Sequence, residues 1–226
     1  MGVIGNLMFA VGFKVTDSAL KKAEKETGLL TNMVTHLSGA IAGLTIGAIG
    51  FQAIQAAADF TNAMTQIQQS TNLTNEQLEA TKGIATNLYN QNFGQDWADL
   101  GNAISITTQI TQQQGQELEN TTRNALLFRD AFGKDIPESV RTADTMMKQF
   151  GISSEDAFSL MAQGQQQGLD KSGDLMDTAN EYANQFKSLG FTAEEMFDTL
   201  AAGSQNGAFN LDKVGKQQHC RLKIAV

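Results

Sequence analysis

The chain has 226 residues, of which 41% are hydrophobic and only 7% aromatic, so it has room for one or two domains but not for an aromatic-rich core throughout. A formal charge of −8 at pH 7 excludes a general grip on nucleic-acid phosphates, which needs clustered Lys and Arg, and no sequence-specific nucleic-acid binding is expected. A single proline favours long helices over turn-rich sandwiches and barrels, and a single cysteine, Cys220, excludes an intramolecular disulfide.

In chain order, the opening MGVIGNLMFAVGF is apolar, but no Lys or Arg precedes Lys14, against a secretory signal. Asn6 stands where a myristoylation site needs Ser or Thr. Phe9, Val11, Phe13 and Val15 alternate with smaller or polar residues, which predicts a short strand-like segment over 7–15. Thr16, Asp17 and Ser18 then offer N-cap oxygens to a weakly amphipathic helix marked by Leu20, Ala23, Thr27, Leu30 and Val34 and interrupted by Gly28. Residues 1–36 form this first segment.

Residues 37–69 are predicted to be a glycine-rich apolar helix and its continuation. Leu37 to Ala58 runs for 22 residues without a charge. Gly39, Gly43 and Gly47 recur every fourth position and stack on one helical face. Leu37, Ile41, Leu44, Ala48 and Phe51 make an aliphatic stripe on the same helix. Each glycine costs such a helix roughly 1 kcal/mol relative to alanine. Close approach to another helix is the usual compensation, and G-x-x-x-G is its signature in lipid. Three readings stay open: a buried core helix, the seam of a homo-oligomer of parallel helices, or a segment that enters a membrane. Ser38, Thr45, Gln52 and Gln55 make it a poor span despite its suitable length.

From Ser70 to Gly215 the sequence predicts a helical array. Capping-box spacing recurs at Thr74/Gln77, Thr111/Gln114, Asp135/Glu138, Ser153/Asp156 and Thr192/Glu195, with Pro137 in the first turn after Asp135. KQFGISSEDAFSLMAQGQQQG from Lys148 aligns with KSLGFTAEEMFDTLAAGSQNG from Lys187, matching Gly151 to Gly190, Phe158 to Phe197 and Gly164 to Gly203 at an offset of 39. A period near 40 is that of helical-pair repeats. The stretch from Thr71 is a looser relative, and Leu175, Ala179, Tyr182 and Phe186 share one face of a helix between the two copies. The expected core is Leu78, Ile84, Leu88, Ile104, Leu126, Phe128, Met146, Phe158, Leu160, Leu175, Phe186, Phe197 and Leu200. Residues 216–226 form an atypical tail with Lys216, Arg221 and Lys223 and no acid. The fold class is therefore all-α, an elongated helical array with a glycine-rich apolar helix and a short N-terminal strand-like segment.

No catalytic, cofactor or metal site emerges. The acid pairs Glu155-Asp156 and Glu194-Glu195 fall in first turns, where the helix dipole favours carboxylates. Asp170, Asp174 and Asp177 share a helical spacing that reads as a solvated face. His219 and Cys220 are sequence neighbours without a third ligand, and His36 stands alone. No Walker, dinucleotide, H-E-x-x-H or G-x-S-x-G pattern occurs, so an enzyme is not expected. The residues singled out are those of the helix-packing or membrane face: Gly39, Gly43, Gly47, Leu37, Ile41, Leu44 and Phe51.

The order of LMFAVGFKVTDSALKKAEKE, the glycine-rich helix and DFTNAMTQIQQSTNLTNEQLEATKGIATNLY, followed by the segment from Met146 to Gly215, resembles phage tail tape measure proteins near their start. AEEMFDTLAAGSQNGAFNLDKVG is the most specific part. The resemblance implies a long helical rod inside the tail tube, coated beforehand by tail assembly chaperones, around which the tail tube protein polymerises. It implies tail-length determination, DNA delivery, contact with tail tip or baseplate proteins, and a place in the virion tail after assembly in the host cytoplasm. The apolar Leu37–Ala58 segment would meet the host membrane at delivery, and a homo-oligomer is expected. Members of that family run to several hundred residues, whereas this chain as one helix reaches only about 340 Å. GKQQHCRLKIAV departs from the family pattern after Val214, which reads as a frame shift or fragment end near Lys216, giving a truncated or prophage-remnant form. The alternative is a small holin-like or toxin-like membrane-active protein that uses residues 37–58.

Overall fold

A computed structural model describes residues 51–208 and 210–224. The strand-like segment, the helix after Thr16 and all but the end of the glycine-rich stretch lie outside the described residues. Among the described residues there are nine helices and no strand, so the all-α class holds. The chain divides into two compact units at Ser105/Ile106.

In the first unit, α1 (Phe51–Ser70) ends where the Thr71 N–H and hydroxyl both donate to the Ile67 carbonyl, at 2.9 and 2.6 Å. Thr74 then caps α2 (Asn75–Asn90), and the predicted box is complete: the Gln77 amide donates to Thr74 Oγ1, and the Thr74 amide donates to Gln77 Oε1. Leu78, Thr81, Ile84, Ala85 and Leu88 make the buried face of α2. Asn92 and Gly94 adopt left-handed φ values of 68° and 81° and turn the chain. Asp96 precedes α3 (Trp97–Thr111) and accepts from the Asp99 amide at 2.8 Å, while Asp99 accepts from Gln95 N–H at 2.9 Å. This cap is absent from the boxes expected from the sequence, and it differs from them in that Asp99 reaches back to the amide of Gln95, one residue before Asp96. Gly101 of α3 lies so close to α1 that an added Cβ would sit 3.0 Å from Ala63 Cβ. Trp97 stacks on Tyr89 at 3.8 Å between ring centroids and takes Phe60 edge-on at 4.8 Å.

The second unit holds α4 (Gly115–Phe132), α5 (Ile136–Phe150), α6 (Ser154–Gln166), α7 (Leu175–Ser188), α8 (Ala193–Gln205) and α9 (Leu211–Ile224). The single repeat seen in the sequence is part of a longer series. Gly115, Ser154 and Ala193, which open α4, α6 and α8, stand 39 residues apart, as do Ile136 and Leu175, which open α5 and α7. Within the first unit, Asn75 and Trp97 precede Gly115 and Ile136 by 40 and 39 residues, so α2 and α3 have the same spacing. Only α9 breaks the count, beginning 36 residues after Leu175, one turn early.

Like packs on like in this unit. First helices stack in the order α4, α6, α8 and second helices in the order α5, α7, α9, with α5 against α7 the most extensive contact. One position in the first helices is small in every copy: Ala85, Ala125, Gly164 and Gly203. The reason is visible in the last two. A Cβ at Gly164 would lie 2.9 Å from Leu175 Cδ2, and one at Gly203 would overlap both methyls of Val214. Leu175 and Val214 each follow their glycine by eleven residues, Leu175 as the first residue of α7 and Val214 as the fourth of α9, which starts one turn early. All the residues expected in the core are buried.

Two of the five predicted boxes fail. Thr111 closes α3 instead of opening a helix, its hydroxyl donating to the Thr107 carbonyl at 2.8 Å. Gln114 is the N-cap of α4 and makes no side-chain cap bond. Asp135 is the N-cap of α5 but caps nothing with its side chain, since Pro137 removes an amide donor from the first turn. The boxes at Ser153/Asp156 and Thr192/Glu195 are complete.

Candidate functional site

Of the packing-face residues, Leu37, Gly39, Ile41, Gly43, Leu44 and Gly47 lie outside the described residues. Phe51 opens α1, and its side chain is not among those described. Among the described residues no helix is long and apolar enough to cross a membrane. His36 is likewise outside, and His219 and Cys220 lie in α9 with their side chains outside the described ones.

The acidic residues do structural work. Asp156 and Glu195 are the third residues of their helices, each accepting from the N-cap amide. The expected shared face of Asp170, Asp174 and Asp177 does not form, because α7 begins only at Leu175. Asp170 sits in the preceding loop with its side chain 6% exposed and pairs with Lys134 from the loop between α4 and α5. Its Oδ1 accepts from the Leu175 amide at 2.9 Å, and Gln165 donates to its other oxygen. Burial alone would raise this carboxyl, but the Lys134 ammonium, the Leu175 N–H and the Gln165 amide outweigh it and hold it below the ordinary carboxylate range. Nearby Glu138 shifts the other way, raised by burial and by the charge of Asp177, against the pull of Lys134.

Asp174 reaches forward to the next pair. Its Oδ2 accepts from the Leu211 amide at 2.9 Å and the Asp212 amide at 3.3 Å, the opening of α9. Asp212 in turn accepts from the Tyr182 hydroxyl at 2.9 Å and from Lys216 at 2.9 Å. Burial first, then the bond to Asp212, pushes the Tyr182 phenol far above its usual value. Lys216 and Tyr182 lower the Asp212 carboxyl, and Asp212 raises Lys216. The helix therefore runs through Lys216 to Ile224 without a break.

Sequence reasoning missed these links between pairs. A signal was present: Asp96, Asp135 and Asp174 recur at intervals of 39, each just before a second helix. The three have diverged in use, one capping its own helix, one capping nothing, and one tying down a neighbour.

Among the described residues no group of three or more His, Cys, Asp or Glu side chains is placed to hold a metal ion. The arrangement is a set of stacked helical hairpins held by caps, small-residue crossings and cross-pair hydrogen bonds. No curated protein and no solved structure matches the chain. A family model described as phage-related minor tail protein matches residues 87–218, which covers α3 to α8 and most of α9. The chain belongs to the family of phage-related minor tail proteins.

Proposed function

We propose that this minor tail protein is a tape measure protein, or the N-terminal part of one, lying inside the tail tube and acting in tail-length determination and DNA delivery. Family membership gives the coarser half: a structural, non-enzymatic protein of the virion tail that associates with other tail proteins. The observation that carries the finer half is coincidence in sequence. The family match at 87–218 falls on the helical-pair repeats, and it includes the segment from Met146 to Gly215 that carries part of the resemblance to tape measure proteins. The partners in this reading are tail tube protein, tail assembly chaperones and tail tip or baseplate proteins. In-frame removal of residues 115–153 from the phage gene is the direct test. Shortened tails, with peptides of the protein present in purified particles, are expected; tails of unchanged length, or particles lacking the protein, would sink the reading.

The glycine face of Gly39, Gly43 and Gly47, with Leu37, Ile41, Leu44 and Phe51, is proposed as a helix-packing face between copies. Sedimentation of Gly43→Leu and Gly47→Leu tests it, a shift to smaller species being expected and an unchanged oligomer being fatal. Flotation with liposomes separates this from the membrane-active alternative, for which recovery of the folded chain with lipid is required.

A further inference from the structure

We propose that the array opens one helix pair at a time, α8–α9 before α6–α7, with the Asp174 carboxylate as the latch that keeps α8–α9 closed. The pattern of packing is the first ground. Within the second unit α8 and α9 pack on α6 and α7 and on each other, and not on α4 or α5 to any comparable extent. Where each unit touches only its neighbours, stability is a sum of local terms, and the pair held by the smaller joint is the easier to release.

The two joints between pairs also differ. Between α4–α5 and α6–α7, the broad α5–α7 contact carries Thr142 Oγ1 donating to the Met176 carbonyl at 3.3 Å and a Thr145–Asn180 bond, and Lys134 pairs with Asp170 beside it. Among the described residues the joint onto α8–α9 is smaller, and the hydrogen bonds described across it converge on two side chains. Asp174 holds the first two amides of α9, and Tyr182 holds Asp212. Gly215 lies flat against the Tyr182 ring, where an added Cβ would overlap it.

Asp174 is placed for this one task. It stands at the N-cap of α7 yet makes no cap bond to α7, whose first amide is taken by Asp170 instead. Ser172 donates to Asp174 Oδ1 at 2.6 Å and fixes the carboxylate, leaving Oδ2 for the amides of Leu211 and Asp212. Helix-opening amides carry partial positive charge and lack partners within their own helix, so a carboxylate from the adjacent pair is an effective clasp. Removing it unfastens α9 while leaving the Ser153 box of α6 and the Asp170 bond to the first amide of α7 intact.

Native-state hydrogen exchange of the full chain, read by mass spectrometry at rising sub-denaturing urea, tests this. Amides of residues 193–224 are expected to share one opening step, easier than that of residues 115–188. Asp174→Ala is expected to speed exchange across 193–224 by about tenfold or more while leaving 115–150 unchanged. Asp174→Asn, which keeps an acceptor oxygen, falls between, and Tyr182→Phe gives a weaker acceleration confined to the same residues. A single step for 115–224, release of α9 with α8 still protected, or an Asp174→Ala effect spread evenly over 115–224 would each overturn the proposal.

Discussion

Small side chains at helix crossings decide how closely these hairpins approach, and two glycines show opposite logic. Gly203 faces the β-branched Val214, whose two methyls already occupy the space a Cβ would take. Gly83, inside α2, has nothing within 4 Å of its Cβ position. Gly203→Ala is therefore expected to cost about 1–3 kcal/mol through overpacking. Gly83→Ala is expected to add about 0.5–1 kcal/mol by removing backbone freedom from the unfolded chain. Urea midpoints from circular dichroism check both, and equal effects at the two sites would refute the steric account. The first residue-scale fact was legible in the sequence as a G-x-x-x-G exit; which glycine had a neighbour was not, because the contact is with the following helix. The same limit applies to Glu119. It occupies the place of Phe158 and Phe197 in the other copies and is buried, paired with Arg123 at 2.7 Å. The hydroxyls of Thr121 and Thr122, one turn away, are buried without a partner. Polar residues at core positions hide a repeat from pattern matching.

At the scale of elements, caps were readable where the box is local and standard, as at Thr74, Ser153 and Thr192. They failed where another constraint intervened: Thr111 is claimed by the helix it closes, and Asp135 opens a helix with Pro137 in its first turn. The ion pair across loops, Lys134 with Asp170, joins residues 36 apart and had no local signature. It does have a pH signature. Because the folded state lowers the Asp170 carboxyl, its contribution is complete above the ordinary aspartate range, about pH 4, and fades as pH falls through that range to the lowered value. Glu138 has the opposite sign: its ionised form disfavours the fold, and protonation as pH falls relieves that cost. Asp170→Asn is accordingly expected to lose on the order of 1–3 kcal/mol at pH 7 and less than that at pH 3. Thermal melts at both values measure this, and a loss of the same size at both would mean that the carboxylate charge is not what binds the loops.

Over the whole molecule the feature that organises the described residues is the 39-residue period, of which the sequence displayed one clear copy, the pair sharing Gly151/Gly190 and Phe158/Phe197. The α4–α5 copy escaped notice because Gln114, Glu119 and Thr122 replace its capping and core residues. If the period is structural, whole units are removable and fractions are not. A chain joining Ser153 directly to Ala193 loses α6 and α7 but keeps capped helices in phase, since Ala193 follows a cap as Ser154 does. It is expected to remain helical with a cooperative melt. Removing only residues 154–173 leaves α5 followed by α7 without a first helix between them, and is expected to unfold or aggregate. Circular dichroism and light scattering compare the two, and equal behaviour would deny the unit any structural meaning.

Aromatic side chains give this protein an unusual optical division of labour. Its one tryptophan, Trp97, lies with Tyr89 and Phe60 in the first unit, while the remaining tyrosine of the two, Tyr182, is at the joint of α7 with α9. Tryptophan emission therefore reports on the packing of Trp97 with Tyr89 and Phe60, and the stacked Tyr89 passes its excitation to Trp97. Tyrosine emission, quenched while the phenol donates to the Asp212 carboxylate, belongs to Tyr182 alone. One cuvette and two wavelengths therefore follow the Trp97 cluster and the joint of α7 with α9, with no label attached.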